Sequence, residues 1–324
     1  MNPTPPSIFT NSNELTSNSV NPNLPAARTA KYPYQTPIPL SGFSYVGLLF
    51  IPVIALLVLT YSPLEGIAIL VALVPGLLVL IFFRVPLSQY TNRNQFLKIL
   101  WTILPGLIPV LIAQITLDFV FGAFFFFSKI DLVLYIAVYS FFTSFIVASL
   151  TEEILKYCCT HRVAPTNEFA KARIIGAALY GLAAGLGFGI FENILYVLSA
   201  ASTSGMQGIV VVGVLRTFTA VPFHCLTGVW IGLGLSVRNF KLGGFETFIK
   251  VIAVPFISHG VYNFLLFFQP AISLIFGTSV GMWYSLAAIL FNISMIVVLS
   301  LMAKNAINLY QKTCDSRFVR VAPV

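Results

Sequence analysis

Charge is the scarcest thing in this sequence. Asp, Glu, Lys and Arg make up 9% of the 324 residues, where a soluble domain carries roughly 25%. A water-soluble fold of this length needs a polar shell that so few charges cannot supply. Lipid must therefore be the solvent for most of the surface. Acid is scarcer than base: 10 Asp and Glu face 18 Lys and Arg, for a net charge of +8. That excess does not indicate a nucleic-acid partner, because the basic residues stand between apolar runs instead of clustering on one face. Cysteine is sparse as well. Cys158 and Cys159 are adjacent, Cys225 lies inside an apolar run and Cys314 lies near the end, which is no secreted disulfide framework. A basic start followed by a short apolar stretch is also missing, so the N-terminal region does not read as a signal peptide.

What the chain does have is apolar length, with 58% of its residues hydrophobic. Residues 1–42 are the exception, with Pro3, Pro5, Pro6, Pro22, Pro25, Pro33, Pro37 and Pro39 set among Asn, Ser and Thr. That composition predicts a disordered cytoplasmic tail. Beyond it, a membrane-embedded domain is expected over 43–304, with a basic cytoplasmic tail at 305–324. A spanning helix takes about 20 mostly apolar residues. Candidate runs are 43–61, 66–83, 99–127, 132–155, 174–199, 208–237, 247–268 and 279–303. Backbone groups in lipid must bond within their own segment, so the expected fold is an all-α polytopic bundle of eight transmembrane helices. Alternating the connections puts fifteen of the 18 Lys and Arg on one side and only Lys129 on the other. Lys156 falls at a span end and Arg216 inside a span. The basic side is expected to be cytoplasmic, which makes the chain a multi-pass protein of the cell membrane with both termini inside.

Ionisable groups in a membrane core are expensive, so each is a candidate for function. They fall mainly in four consecutive spans. The fourth ends in Thr151-Glu152-Glu153-Ile154-Leu155-Lys156. The fifth carries Phe188, Glu192, Asn193 and Tyr196 after a Gly-rich stretch, 181–189. The sixth holds Pro222-Phe223-His224, with Arg216 two turns earlier. The seventh holds Pro255, Ser258, His259, Tyr262 and Asn263. Gln114 and Asp118 in the third span stand apart. Glu152 and Lys156, and likewise His259 and Asn263, are four apart and share a helix face. Pro222 and Pro255 precede the two histidines, and a proline in a span kinks it. The glycines permit close helix approach.

Two carboxylates, two histidines, an Asn and a Lys are the parts of a hydrolytic site. A carboxylate can take a proton from water, and His or Asn can donate to an oxyanion. Alternatively, two His and one carboxylate hold a catalytic zinc, with the second carboxylate as base. The residues leave both open.

Glu152-Glu153-x-x-Lys156, Phe188-x-x-x-Glu192-Asn193, His224 and His259-x-x-x-Asn263, in that order on four successive spans, resemble the PrsW family of intramembrane proteases. That family is similar to the wider superfamily of CAAX prenyl endopeptidases and bacteriocin-immunity (CPBP) membrane proteins. The resemblance covers residues 132–268. It implies cleavage of a peptide bond in a membrane-anchored protein, such as an anti-sigma factor. It also implies that Glu152, Glu153, His224 and His259 carry the reaction, with Lys156, Glu192, Asn193 and Asn263 in support. His224 and His259 are the expected metal ligands or oxyanion donors and Glu152 the expected general base; the resemblance is compatible with zinc and with a metal-free, glutamate-activated water. The prenyl endopeptidases end an F-x-x-x-H motif in His where this chain has Glu192, so a prenylated substrate is not implied.

Plainer readings stand beside these. Glu152 and Glu153 can be interfacial charges partnered by Lys156. Glu192 and Arg216, roughly 10 Å and 12 Å below the outer ends of their spans by helical rise, can be a buried ion pair, and Asp118 can serve Arg216 instead. His259 with Asn263 can join helices, and His224 can be structural. Two whole-protein rivals use the same residues: a proton-coupled transporter and a non-catalytic immunity or scaffold protein. Transporters often show internal repeats, and none is visible here. Depth poses a difficulty. Measured from the outer ends of the expected spans, Glu152 lies about 30 Å down, His224 about 24 Å and His259 about 14 Å.

Overall fold

A computed structural model describes residues 58–60, 62–83, 90, 91, 93–127, 131–163, 170–237 and 245–319. The expected tail 1–42 and nearly all of the first expected span lie outside the described residues. Every regular element among the described residues is helical, as a backbone in lipid requires. The elements are α1 (Pro63–Phe82), α2 (Arg93–Phe127), α3 (Leu132–Phe142), α4 (Thr151–Val163), α5 (Ala170–Phe218), α6 (Ala220–Val237), α7 (Phe245–Phe267), α8 (Gln269–Phe276) and α9 (Thr278–Val319). Between α3 and α4 the helix continues through a π-helical stretch, Thr143–Leu150.

Six stretches among the described residues are long and apolar enough to cross a membrane: Pro63–Phe82, Gln95–Phe124, Leu132–His161, Ile174–Ser236, Phe248–Phe276 and Thr278–Leu309. The difference from eight has two sources. The first expected span is not described, and the fifth and sixth are joined in one helical stretch of 63 residues. A straight helix of that length would be about 95 Å long, three times the ~30 Å apolar core of a bilayer. It is not straight. Gly205 breaks it at φ 59, ψ −143, a conformation open to glycine and strained for a residue with a Cβ.

The two arms on either side of Gly205 pack antiparallel at backbone contact. A Cβ on Gly181 would meet the carbonyl oxygen of Gly228, one on Gly185 that of His224, and one on Gly232 that of Ala177. Small residues four apart on both arms make this approach possible, as in membrane helix pairs generally. The pair forms the centre of the bundle. In Ile174–Ser236, 89% of the most apolar window is buried, against 22–33% in the other five stretches. Around it, α2 packs Ile99, Leu100 and Ile103 against Leu186 and Phe188. Helix α1 packs Ala68 and Ala72 against Val197 and Ala201. Helices α7 and α9 pack Tyr262 and Leu299 beside Phe223.

The ends of three helices differ from the expected spans, and the depth difficulty disappears with them. The fourth span does not stop at 155 but runs on to Val163, so Glu152 lies inside a long helix and not at its end. The turn between the expected fifth and sixth spans is Gly205 itself. The seventh span continues past Phe268 to Phe276. Counted from these ends, Glu152, His224 and His259 lie roughly 30, 28 and 26 Å down their helices. Helix α9 likewise continues past 304, to Val319.

Candidate functional site

Glu152 and Glu153 open α4 directly after the π-helical stretch, a feature often found at functional sites. Ser149 of that stretch donates to the Phe256 carbonyl at 2.7 Å, and the Phe145 ring covers Gly260. These contacts clamp the stretch to α7 beside His259. Neighbouring helix residues point about 100° apart, and the two glutamates accordingly face different surroundings. Glu153 is sealed at 0% exposure, while Glu152, at 4%, lines a cavity.

Glu153 Oε1 accepts from Lys156 Nζ at 2.6 Å and pairs with His259 Nδ1 at 2.7 Å. Lys156 also reaches His224 Nδ1 at 3.0 Å and donates to Thr227 Oγ1 at 3.1 Å. Glu152 Oε1 accepts from Gln114 at 3.3 Å. Its other oxygen, Oε2, is buried without a hydrogen-bond partner. That orphan lies 3.6 Å from His259 Nε2 and 4.0 Å from His224 Nδ1. One ligand atom from each of Glu152, His224 and His259 falls within 4.8 Å of the others.

The ring partners assign the histidine tautomers. His259 Nδ1 faces a carboxylate, so it carries the proton, and the Nε2 lone pair turns to Glu152. His224 Nε2 lies 2.6 Å from Glu192 Oε2 and carries the proton, and its Nδ1 lone pair faces Lys156 and Glu152. Both N–H groups thus diverge onto carboxylates; the His259 Nε2 lone pair faces the orphaned oxygen at 3.6 Å, and the His224 Nδ1 lone pair, 4.0 Å from that oxygen, accepts from Lys156 Nζ at 3.0 Å. Such lone pairs hold a cation; they do not donate to an oxyanion. Two imidazole nitrogens and one carboxylate oxygen are also the donor types of a catalytic zinc site with an open position. Carboxylates behind both imidazoles are the usual outer support of such ligands. The residues present fit a divalent metal.

The other expected residues divide. Glu192 combines both readings offered for it, since Oε2 receives Arg216 at 2.6 Å as well as His224. Asn193 does not reach the glutamate pair. It accepts from Arg216 Nε at 3.0 Å and donates to the Ala72 carbonyl of α1 at 2.8 Å. Asp118 does not partner Arg216; it accepts from the Tyr139 hydroxyl at 2.5 Å. Cys225 is buried in the core and outside the Glu/His/His group. Thr227 went unnoticed in the sequence, because a threonine three residues after a histidine carries no signature.

Two cavities meet at the site. One of about 310 Å³ is lined by Gln114, Asp118, Glu152, Glu192, Tyr196 and Asn263 among apolar side chains. The second, about 280 Å³, includes Arg216, His224 and Tyr262 and shares Glu192, Tyr196 and Asn263 with the first.

Comparison with known proteins adds to this geometry. Protease PrsW of Clostridioides difficile (strain 630) is 26% identical over 131 residues, covering 40% of this chain and 53% of that protein. The chain thus spans about half the length of the curated relative it matches. No solved structure matches it. The profile of the PrsW family intramembrane metalloprotease matches residues 95–311, well over half of the 324. The chain belongs to the PrsW family.

Proposed function

We propose that this protein is an intramembrane endopeptidase of the cell membrane. Its substrate is a membrane-anchored protein, an anti-sigma factor being the kind that the family resemblance implies. One arrangement above all supports this reading: the orphaned Glu152 oxygen lies 3.6 Å from a ring nitrogen of His259 and 4.0 Å from one of His224, beside a cavity among apolar helices.

Peptide hydrolysis adds water oxygen to the carbonyl carbon, then breaks the C–N bond. Glu152 takes a proton from the attacking water and returns it to the leaving nitrogen. Asn263, one turn beyond His259 and lining both cavities, donates to the oxyanion. Glu153 and Glu192 hold the histidine rings in the inward tautomer. Lys156 keeps Glu153 charged and in place. His224 and His259 would hold a zinc ion beside the Glu152 base, and the ion would supply Lewis-acid polarisation of water and carbonyl. Metal-binding stoichiometry tests this part. Purified protein should carry about one zinc per chain, the loading of a single catalytic site. His259→Ala should lose that zinc. Metal-free protein that still cleaves would remove the ion and leave Glu152 acting on water alone.

The topology we propose is eight spans with both termini cytoplasmic and 200–207 outside. The strongly one-sided Lys and Arg distribution supports it. A reporter active only outside the cytoplasm should stay silent when fused after Lys304 and be active when inserted at Gly205. Activity after Lys304 would overturn the span count.

A further inference from the structure

Asp118 is a carboxylate that the reaction does not use. It lies on α2, inside the apolar stretch Gln95–Phe124, where an ionisable group is expensive and faces a partner or a cavity. The exposure of α2 shows which way it turns. Ile112 and Phe119 are 60% and 75% exposed and face lipid. Leu111, Gln114 and Asp118, three and four residues apart, share another stripe of the helix. All three line the 310 Å³ cavity that holds Glu152.

The partner of Asp118 within the chain is neutral. The Tyr139 hydroxyl of α3 donates to Oδ1 at 2.5 Å. Among the described residues, the ion pairs with Lys or Arg join Glu153 to Lys156 and Glu192 to Arg216, and neither reaches Asp118. No Lys or Arg lines the cavity either. The other two carboxylates on its wall are provided for, since Glu192 meets Arg216 and Glu152 faces the two histidines. Asp118 alone on that wall has no positive partner.

Its place along α2 is as informative as its charge. Gln114 bonds Glu152 Oε1 at 3.3 Å and so marks the level of the reaction. Asp118 stands one turn further on, about 6 Å by helical rise. Roughly two residues of an extended chain cover that distance. We infer that Asp118 is a specificity-determining residue, whose carboxylate receives a Lys or Arg side chain of the substrate about two residues from the bond that is cut. In the topology proposed above, that residue lies on the outer side of the cut. The ligand follows from the endopeptidase reading, but the test does not need cleavage.

The probes are synthetic single-span peptides of about 22 residues, built of Ala and Leu with one central Lys or one central norleucine. Such a span carries no other polar mark, so the lysine sets its own register. Binding is measured by fluorescence in uncharged detergent micelles, with full-length Glu152→Gln protein so that bound peptide is not cut. The Lys peptide should bind about 10–100-fold more tightly than the norleucine peptide, the worth of a hydrogen bond to a charged group. Adding Asp118→Asn keeps an oxygen for Tyr139 and should make the two peptides equal. Adding Tyr139→Phe removes the tie between α2 and α3 but keeps the carboxylate, and should preserve the preference. Equal binding of the two peptides before Asp118 is changed, or no binding of either, would overturn the inference. So would a preference that survives Asp118→Asn. Loss of the preference in Tyr139→Phe as complete as in Asp118→Asn would leave Asp118 as a strut between helices. Wild type supplies the separate reading: it should cut the Lys peptide about two residues from the lysine. Preferential binding with no cut defeats the protease reading and leaves the recognition standing, and cleavage without preference does the reverse.

Discussion

Glu152→Gln should leave the protein folded and reduce cleavage of a membrane-anchored reporter by at least about 10²-fold, the usual contribution of a positioned acid–base group. The substitution keeps the size of the side chain and an oxygen for Gln114, which bonds Glu152 Oε1 at 3.3 Å. It removes the oxygen that matters, the unpartnered Oε2 between His224 and His259. No ion pair to a Lys or Arg is lost, so stability should hardly change. Glu153→Gln should also reduce cleavage, by a different route. It weakens the acceptor of both Lys156 and His259, so the His259 ring loses its orientation. Full cleavage by the double variant, at normal expression, would refute the protease mechanism. Proton flux in liposomes that these substitutions abolish, with no cleavage by wild type, would favour the transporter instead.

Lys156→Met should be the most destabilising single substitution in the site, costing about 3–5 kcal/mol, as expected when one partner of a buried ion pair is removed. Lys156 and Glu153 are both at 0% exposure. The ammonium is the only Lys or Arg group paired with Glu153 among the described residues, and it also meets His224 and Thr227. Its loss strands a carboxylate away from water. Methionine fills much the same volume, so packing alone does not account for the expected loss. The pair can be removed together at smaller cost. Lys156→Met with Glu153→Leu should recover much of the stability, because replacing a whole buried pair with apolar groups is often neutral. The double variant should remain inactive, since His259 no longer has a carboxylate behind it. Denaturant unfolding in mixed micelles measures both effects. A single variant as stable as wild type would show that Glu153 is not a buried charge.

Much of this protein is legible in its sequence, for reasons confined to single helices. Lipid forces backbone hydrogen bonds inside each segment, so long apolar runs had to be helices. The expense of charge in lipid picked out Glu152, Glu153, Glu192, His224 and His259 before any contact was known. The glycines at 181 and 185 announced a close helix neighbour. The periodicity of a helix, however, orders residues only along its own axis. It allowed Lys156 to pair with either Glu152 or Glu153, and the tertiary structure chose Glu153 because His224, Thr227 and His259 arrive on that side. It offered Glu192 as an ion-pair partner or a member of the site, and one oxygen turned out to serve both Arg216 and His224. It set Glu152, His224 and His259 at different depths, because the break at Gly205 and the continuation through α8 carry no apolar boundary. Those decisions depend on how four helices are rotated and shifted against one another. That is fixed by packing between them, above all the Gly181–Gly228 and Gly185–His224 contacts, which no spacing within one helix encodes.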